Sequence, residues 1–124
     1  MKTTALNSLA ILTLGLILLA PGRAMAHAFL DHADPKVGSS VDKPPSRVEI
    51  WFTQELEPAF SGMKVTSSDG VQVDRKDARV DEKEKNLMIV SLTKLPPGTY
   101  KVSWHAVSVD THRTQGDFKF TVGS

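Results

Sequence analysis

Cysteine is absent from this chain of 124 residues. An exported domain of this size would therefore fold without the disulfides that often stabilise small secreted proteins. Two kinds of metal chemistry are lost with it. A blue-copper electron-transfer centre needs a cysteine thiolate, and structural zinc sites usually use several. Aromatic residues make up only 6% of the chain, and no broad aromatic platform for a polymeric substrate is evident. No Gly-x-Ser-x-Gly elbow occurs, and no serine is placed by pattern beside a histidine and a carboxylate, so hydrolysis has no support. Polybasic runs are missing as well, and nothing in the formal charge of +1 favours nucleic acid or an anionic membrane surface. Internal repeats and low-complexity stretches are also lacking.

What is there begins with a targeting pattern. Lys2 gives a positive start, residues 9–20 are almost wholly apolar, and Pro21-Gly22 leads into Ala24-Met25-Ala26. Small residues at 24 and 26 are those that signal peptidase accepts. The apolar run is shorter than the roughly 20 residues a membrane-spanning helix needs. The pattern predicts a cleaved signal peptide over 1–26, export to the periplasm, and no membrane insertion of what remains. Cleavage removes Lys2 and Arg23 but no acidic residue, so the formal charge falls from +1 to −1. Residues 27–124 are then enough for one small domain and not for two.

From Ala28 onward the apolar residues recur with period 2, between turn-forming residues, as a half-buried antiparallel sheet requires. The clearest strand covers 47–53, with Val48, Ile50 and Phe52 on one face; Pro44-Pro45 should hold the preceding chain extended and unpaired. Segments 62–66 and 71–74 flank Ser67-Ser68-Asp69-Gly70 and predict a hairpin, because Asp-Gly tolerates positive φ. The charged run 74–85 reads as a short edge strand between exposed loops. Further strands are expected over 86–92, over 100–109 with Tyr100, Val102, Trp104 and Ala106 on one face, and over 117–122 with Phe118, Phe120 and Val122 inward. The only helical signal is a possible turn around 56–60. A Pro-Gly turn two residues before Tyr100 is similar to the tyrosine corner of immunoglobulin-like sandwiches. About seven strands suit an all-β Greek-key sandwich or barrel.

Cleavage before His27 would create a ligand with two nitrogens, the α-amine and the imidazole Nδ1, which close a six-membered ring on one metal. By itself, a histidine after the cut is more simply coincidence. Asp110-Thr111-His112 follows the long strand; in an extended segment, positions i and i+2 share a face, so a carboxylate and an imidazole would converge. A polar turn before Gly116 is the plainer explanation of that pair. Together the two coincidences carry more weight. His27, Asp110 and His112 would supply three nitrogens and one oxygen, a set suited to tetragonal copper(II). They would meet at one end of the sandwich if the first strand pairs near the last hairpin. His105 is expected in solvent, opposite Trp104, with a supporting role at the site left open; His32, beside the Asp34-Pro35 turn, is either an extra ligand or without a role, and the second reading is the simpler. After cleavage only Met63 and Met88 remain, as packing residues rather than the thioether cluster that copper(I) requires.

These residues resemble a known family. His27-Ala28, Glu57-Pro58-Ala59-Phe60-Ser61-Gly62, Leu95-Pro96-Pro97-Gly98-Thr99-Tyr100-x-Val102-x-Trp104 and Asp110-x-His112-x-x-x-Gly116-x-Phe118-x-Phe120 together look like the CopC family of periplasmic copper-resistance proteins, over essentially the whole mature chain. The resemblance implies a seven-stranded, immunoglobulin-like or cupredoxin-like Greek-key β-barrel that binds one copper(II) per chain. The ligands would fall on His27, Asp110 and His112. It also implies a role in sequestering or carrying periplasmic copper, with a copper-transporting inner-membrane protein of the CopD type as partner; a monomer is expected. The chain departs from the family at Thr111 and Arg113, where Gly and Pro are common, and at His105, where arginine is frequent. The methionine-rich copper(I) loop of some members is missing.

Binding rather than turnover is the expected function. A copper oxidase resembling the lytic polysaccharide monooxygenases would also use an N-terminal histidine, but here Asp110 would occupy the coordination plane. A metal-free immunoglobulin-like adhesion or assembly domain would explain the strands and the export, yet leaves His27 and the Asp-x-His pair unused.

Overall fold

The computed structural model describes residues 28–124; the expected signal peptide over 1–26 and His27 lie outside the described residues. Eight strands form two sheets. The strands are β1 (Leu30–Asp34), β2 (Ser40–Val41), β3 (Arg47–Phe52), β4 (Gly62–Ser67), β5 (Arg79–Val80), β6 (Leu87–Ser91), β7 (Gly98–Val107) and β8 (Arg113–Val122), with a 3-10 turn over Pro58–Phe60. One sheet has the order β1-β3-β6-β5 and the other β2-β8-β7-β4. Only β2 and β8 run parallel; every other pairing of these strands is antiparallel. The all-β sandwich read from the period-2 pattern is therefore observed.

Alternation decides which side chains enter the sandwich. Val48, Ile50 and Phe52 of β3, Val102 and Ala106 of β7, and Phe120 and Val122 of β8 are all buried, and they form one core with Val65, Met88 and Val90. Met63 and Met88 are part of it, which is the packing role expected of them. Aromatic packing joins the sheets: Phe52 meets Trp104 edge-on with ring centroids 5.1 Å apart. The Tyr100 hydroxyl donates to the carbonyl of Pro96, completing the corner that its place after Pro97-Gly98 suggested.

Two expectations about strands change. The hairpin turn forms, with Gly70 N–H donating to the Ser67 carbonyl and φ of +84° at Gly70, but its return arm is not a continuous strand. Gln72 bridges to Thr66, whereas Asp74 bridges to Leu92 beyond β6, in line with the opposite sheet. The crossing is stabilised by the buried Asp74 carboxylate, which accepts from the Val65 and Lys76 backbone N–H groups at 2.8 Å each. The meeting of the chain start with the last hairpin also comes about differently. The first strand pairs with β3, and the Ala28 carbonyl just before it is what reaches β8.

Candidate metal centre

The candidate ligands Asp110 and His112 lie where β7 turns into β8. A strand extended to Val109 and beyond, as the sequence pattern predicts, would put both side chains on one strand face. Instead β7 ends at Val107 and β8 begins at Arg113. The five residues between them close a tight turn: Thr111 N–H donates to the Ser108 carbonyl at 2.8 Å, and Ser108 N–H donates to the His112 carbonyl at 3.0 Å. Thr111 adopts φ of +72°, a left-handed conformation that disfavours a β-branched residue. The two side chains thus converge because the chain reverses at Thr111, not because the segment is extended.

The turn is fastened to the segment after β3. Glu57 N–H donates to the Val107 carbonyl at 2.8 Å, and Val109 N–H to the Glu55 carbonyl at 3.1 Å. Between them Leu56 bridges Ser108 and is itself buried. A buried leucine bound on either side gives the turn a fixed base.

On that base, His112 Nδ1 lies 3.3 Å from Asp110 Oδ1, with the two side chains 50% and 42% exposed, so both can be reached from solvent. The Ser108 hydroxyl donates to the same carboxylate oxygen. That bond, helped by His112, holds the Asp110 carboxyl below the usual carboxylate range against the opposing effect of burial. Asp110 is consequently an anion at any pH near neutrality.

The beginning of the described chain comes to the same place. Ala28 is fully buried, and its carbonyl accepts a 2.6 Å hydrogen bond from the hydroxyl of Thr114, two residues beyond His112. Phe29 is tied on its other side, its N–H donating to Thr53 Oγ1 at 3.0 Å and its carbonyl accepting from Thr53 N–H at 2.9 Å. The residue preceding Ala28 is His27.

Among the described residues no group of three or more His, Asp or Glu side chains could hold a metal ion. Asp110 and His112 are thus a pair of donors, one oxygen and one nitrogen, of the kinds that suit copper(II) when further nitrogens complete the set. Neither of the other two described histidines joins them. His32 stacks on Trp51 with centroids 4.4 Å apart, and its Nδ1 is 2.8 Å from Asp31 Oδ2. His105 is exposed, as expected, and its ring lies across Gly62 of the neighbouring strand. Two residues that serve this region do not stand out in the sequence pattern. Ser108 shares the inward parity of Ala106, and a serine at a core-facing position was the available signal. Thr114 offered none, since its partner is 86 residues away.

The CopC domain profile matches residues 30–123. The chain belongs to the CopC family. It is 38% identical over 116 residues to protein YobA of Escherichia coli (strain K12), covering 93% of this chain and 91% of that one. Among solved structures it is similar to CopC from Methylosinus trichosporium OB3b, with a TM-score of 0.73 and 29% identity over 78% of this chain and 94% of that one. It is also similar to PcoC, a methionine-rich copper resistance protein from Escherichia coli, with a TM-score of 0.68 and 33% identity over 78% and 99% of the two chains. This CopC-family chain thus shares the sandwich of proteins named for copper resistance. Unlike a methionine-rich relative, it has only Met63 and Met88 in its described part, both inside the core.

Proposed function

We propose that this CopC-family protein is exported to the periplasm, loses residues 1–26, and there binds one copper(II) ion as cargo, to sequester or carry it. The ligands in this reading are the α-amine and imidazole of His27, the carboxylate of Asp110 and the imidazole of His112. The observation that carries it is the bond from the Thr114 hydroxyl to the Ala28 carbonyl, which holds the chain one residue past His27 beside the turn bearing the other two ligands. Copper(II) stands above zinc in the affinity order of such donors, and an imidazole, an amine and an already ionised carboxylate bind it without a redox step. Copper is what such a protein holds or hands on, and an inner-membrane copper transporter of the CopD type is the partner the family resemblance suggests.

The test is a copper(II) titration of the processed protein beginning at His27, followed by electron paramagnetic resonance, alongside an Asp110→Ala, His112→Ala double variant. One equivalent bound with a tetragonal, nitrogen-rich spectrum that the double variant loses is the expected result. Stoichiometric binding with an unchanged spectrum in the double variant would remove both residues from the site.

A further inference from the structure

Resting on the reading of Asp110 as a copper ligand, we propose that Ser108 is a positioning residue for the metal centre, which orients the Asp110 carboxylate before copper arrives. Ser108 is 0% exposed, an unusual place for a hydroxyl unless its hydrogen bond is used. That hydroxyl donates to Asp110 Oδ1, the oxygen that also faces His112 Nδ1. Its own backbone cannot shift easily. Ser108 N–H donates to His112, its carbonyl accepts from Thr111, and the residue bridges Leu56.

An exposed aspartate would otherwise rotate freely about two side-chain bonds, and a metal would have to immobilise it. A donor fixed from beneath removes that freedom in advance. Outer partners of this kind ordinarily change metal affinity by about 10–100-fold when removed. Ser108 therefore touches no metal in this scheme and acts only through Asp110.

The experiment measures copper(II) affinity, by chelator competition, and the electron paramagnetic resonance spectrum of the processed protein carrying Ser108→Ala, Ser108→Thr, Asp110→Ala, or Ser108→Ala with Asp110→Ala. Ser108→Ala is expected to bind one copper about 10–100-fold more weakly with a shifted spectrum, and Ser108→Thr to recover both by restoring the hydroxyl. In the Asp110→Ala background, adding Ser108→Ala should change nothing further. A loss from Ser108→Ala that persists undiminished in that background would show a merely structural effect and overturn the proposal. So would wild-type affinity and spectrum in Ser108→Ala while Asp110→Ala binds weakly. Wild-type binding by Asp110→Ala is a separate outcome, which overturns the ligand assignment itself and the proposal with it. Should Ser108→Thr be too large to fold in its buried site, the double-variant comparison decides the matter alone.

Discussion

The hydroxyl of Thr114 donates to the carbonyl of Ala28 across 2.6 Å and 86 residues of sequence. It joins the first described residue of the chain to the second residue of β8, and so brings the chain start to the turn that carries Asp110 and His112. The first strand belongs to the other sheet, so the backbone ladder alone would not make that connection.

Replacing Thr114 with valine keeps the shape and deletes the donor. The Ala28 carbonyl, buried with its residue, is then left without that partner. Thr114→Val should lower stability by about 1–2 kcal/mol, the usual effect of leaving one buried acceptor unsatisfied. Copper(II) affinity should fall by about 10-fold, as for other outer partners. Urea denaturation and chelator competition measure the two effects. A stability loss with unchanged copper affinity would separate the chain start from the site.

Adding a single residue before His27 leaves its imidazole in place but converts the α-amine to an amide. One donor and the chelate ring disappear together. Four-ligand structural zinc sites bind with roughly 10–16 kcal/mol, and by that scale the loss of one donor should lower affinity by about 100-fold or more. Isothermal titration of the extended and processed proteins gives the comparison, and equal affinities would exclude the amino terminus as a ligand.

Acidification should release copper through the nitrogen donors. Asp110 is held below the ordinary carboxylate range by Ser108 first and His112 after it. A carboxylate with a lowered value remains ionised above that range, so it takes up no proton between pH 7 and 5. Imidazoles ordinarily titrate near about 6.5 and α-amines near about 7.7, and both must lose a proton to bind metal. Each nitrogen that must lose a proton steepens the loss of affinity on acidification, so two imidazoles and an amine predict a steeper fall from pH 7 to pH 5 than a single imidazole does. Competition titrations at several pH values measure the fall, and an affinity unchanged between pH 7 and pH 5 would remove the amine and the imidazoles from the set.

Much of the fold could be read because burial imposes period 2. Val48, Ile50 and Phe52, and likewise Phe118, Phe120 and Val122, alternate in the sequence as they alternate in the sandwich. The Asp-x-His pair was visible for a reason that proved incomplete. Spacing brings the side chains together in a strand, but here a left-handed Thr111 does so in a turn. The sequence offers little warning of that, since a β-branched residue is a poor occupant of positive φ, and the closing bonds come from backbone groups. Asp74 was hidden for a similar reason. Within a charged run it looks solvated, and only the crossing between sheets makes it a buried acceptor of Val65 and Lys76 N–H.

Two glycines in the family motifs should respond differently to the same substitution. A Cβ at Gly116 would lie 2.8 Å from Trp104 Cζ2 and 3.1 Å from Cε2, and one at Gly62 would lie 2.7 Å from His105 Cε1. The clashes are nearly equal, so what decides the outcome is whether the neighbour can yield. Trp104 is 9% exposed and packed edge-on against Phe52, so its ring cannot move without disturbing that contact. The His105 ring stands at the surface and can swing outward by a side-chain rotation. Gly116→Ala should therefore destabilise the domain by about 1–3 kcal/mol, as overpacking usually does, which lowers Tm by roughly 4 °C or more for a domain of this size. Gly62→Ala should stay within about 0.5 kcal/mol of the parent, because the gain from restricting the unfolded chain offsets a small rearrangement. Thermal denaturation of the two variants side by side makes the comparison. Equal losses in both would mean that the His105 ring is held on Gly62 as firmly as Trp104 is held on Gly116.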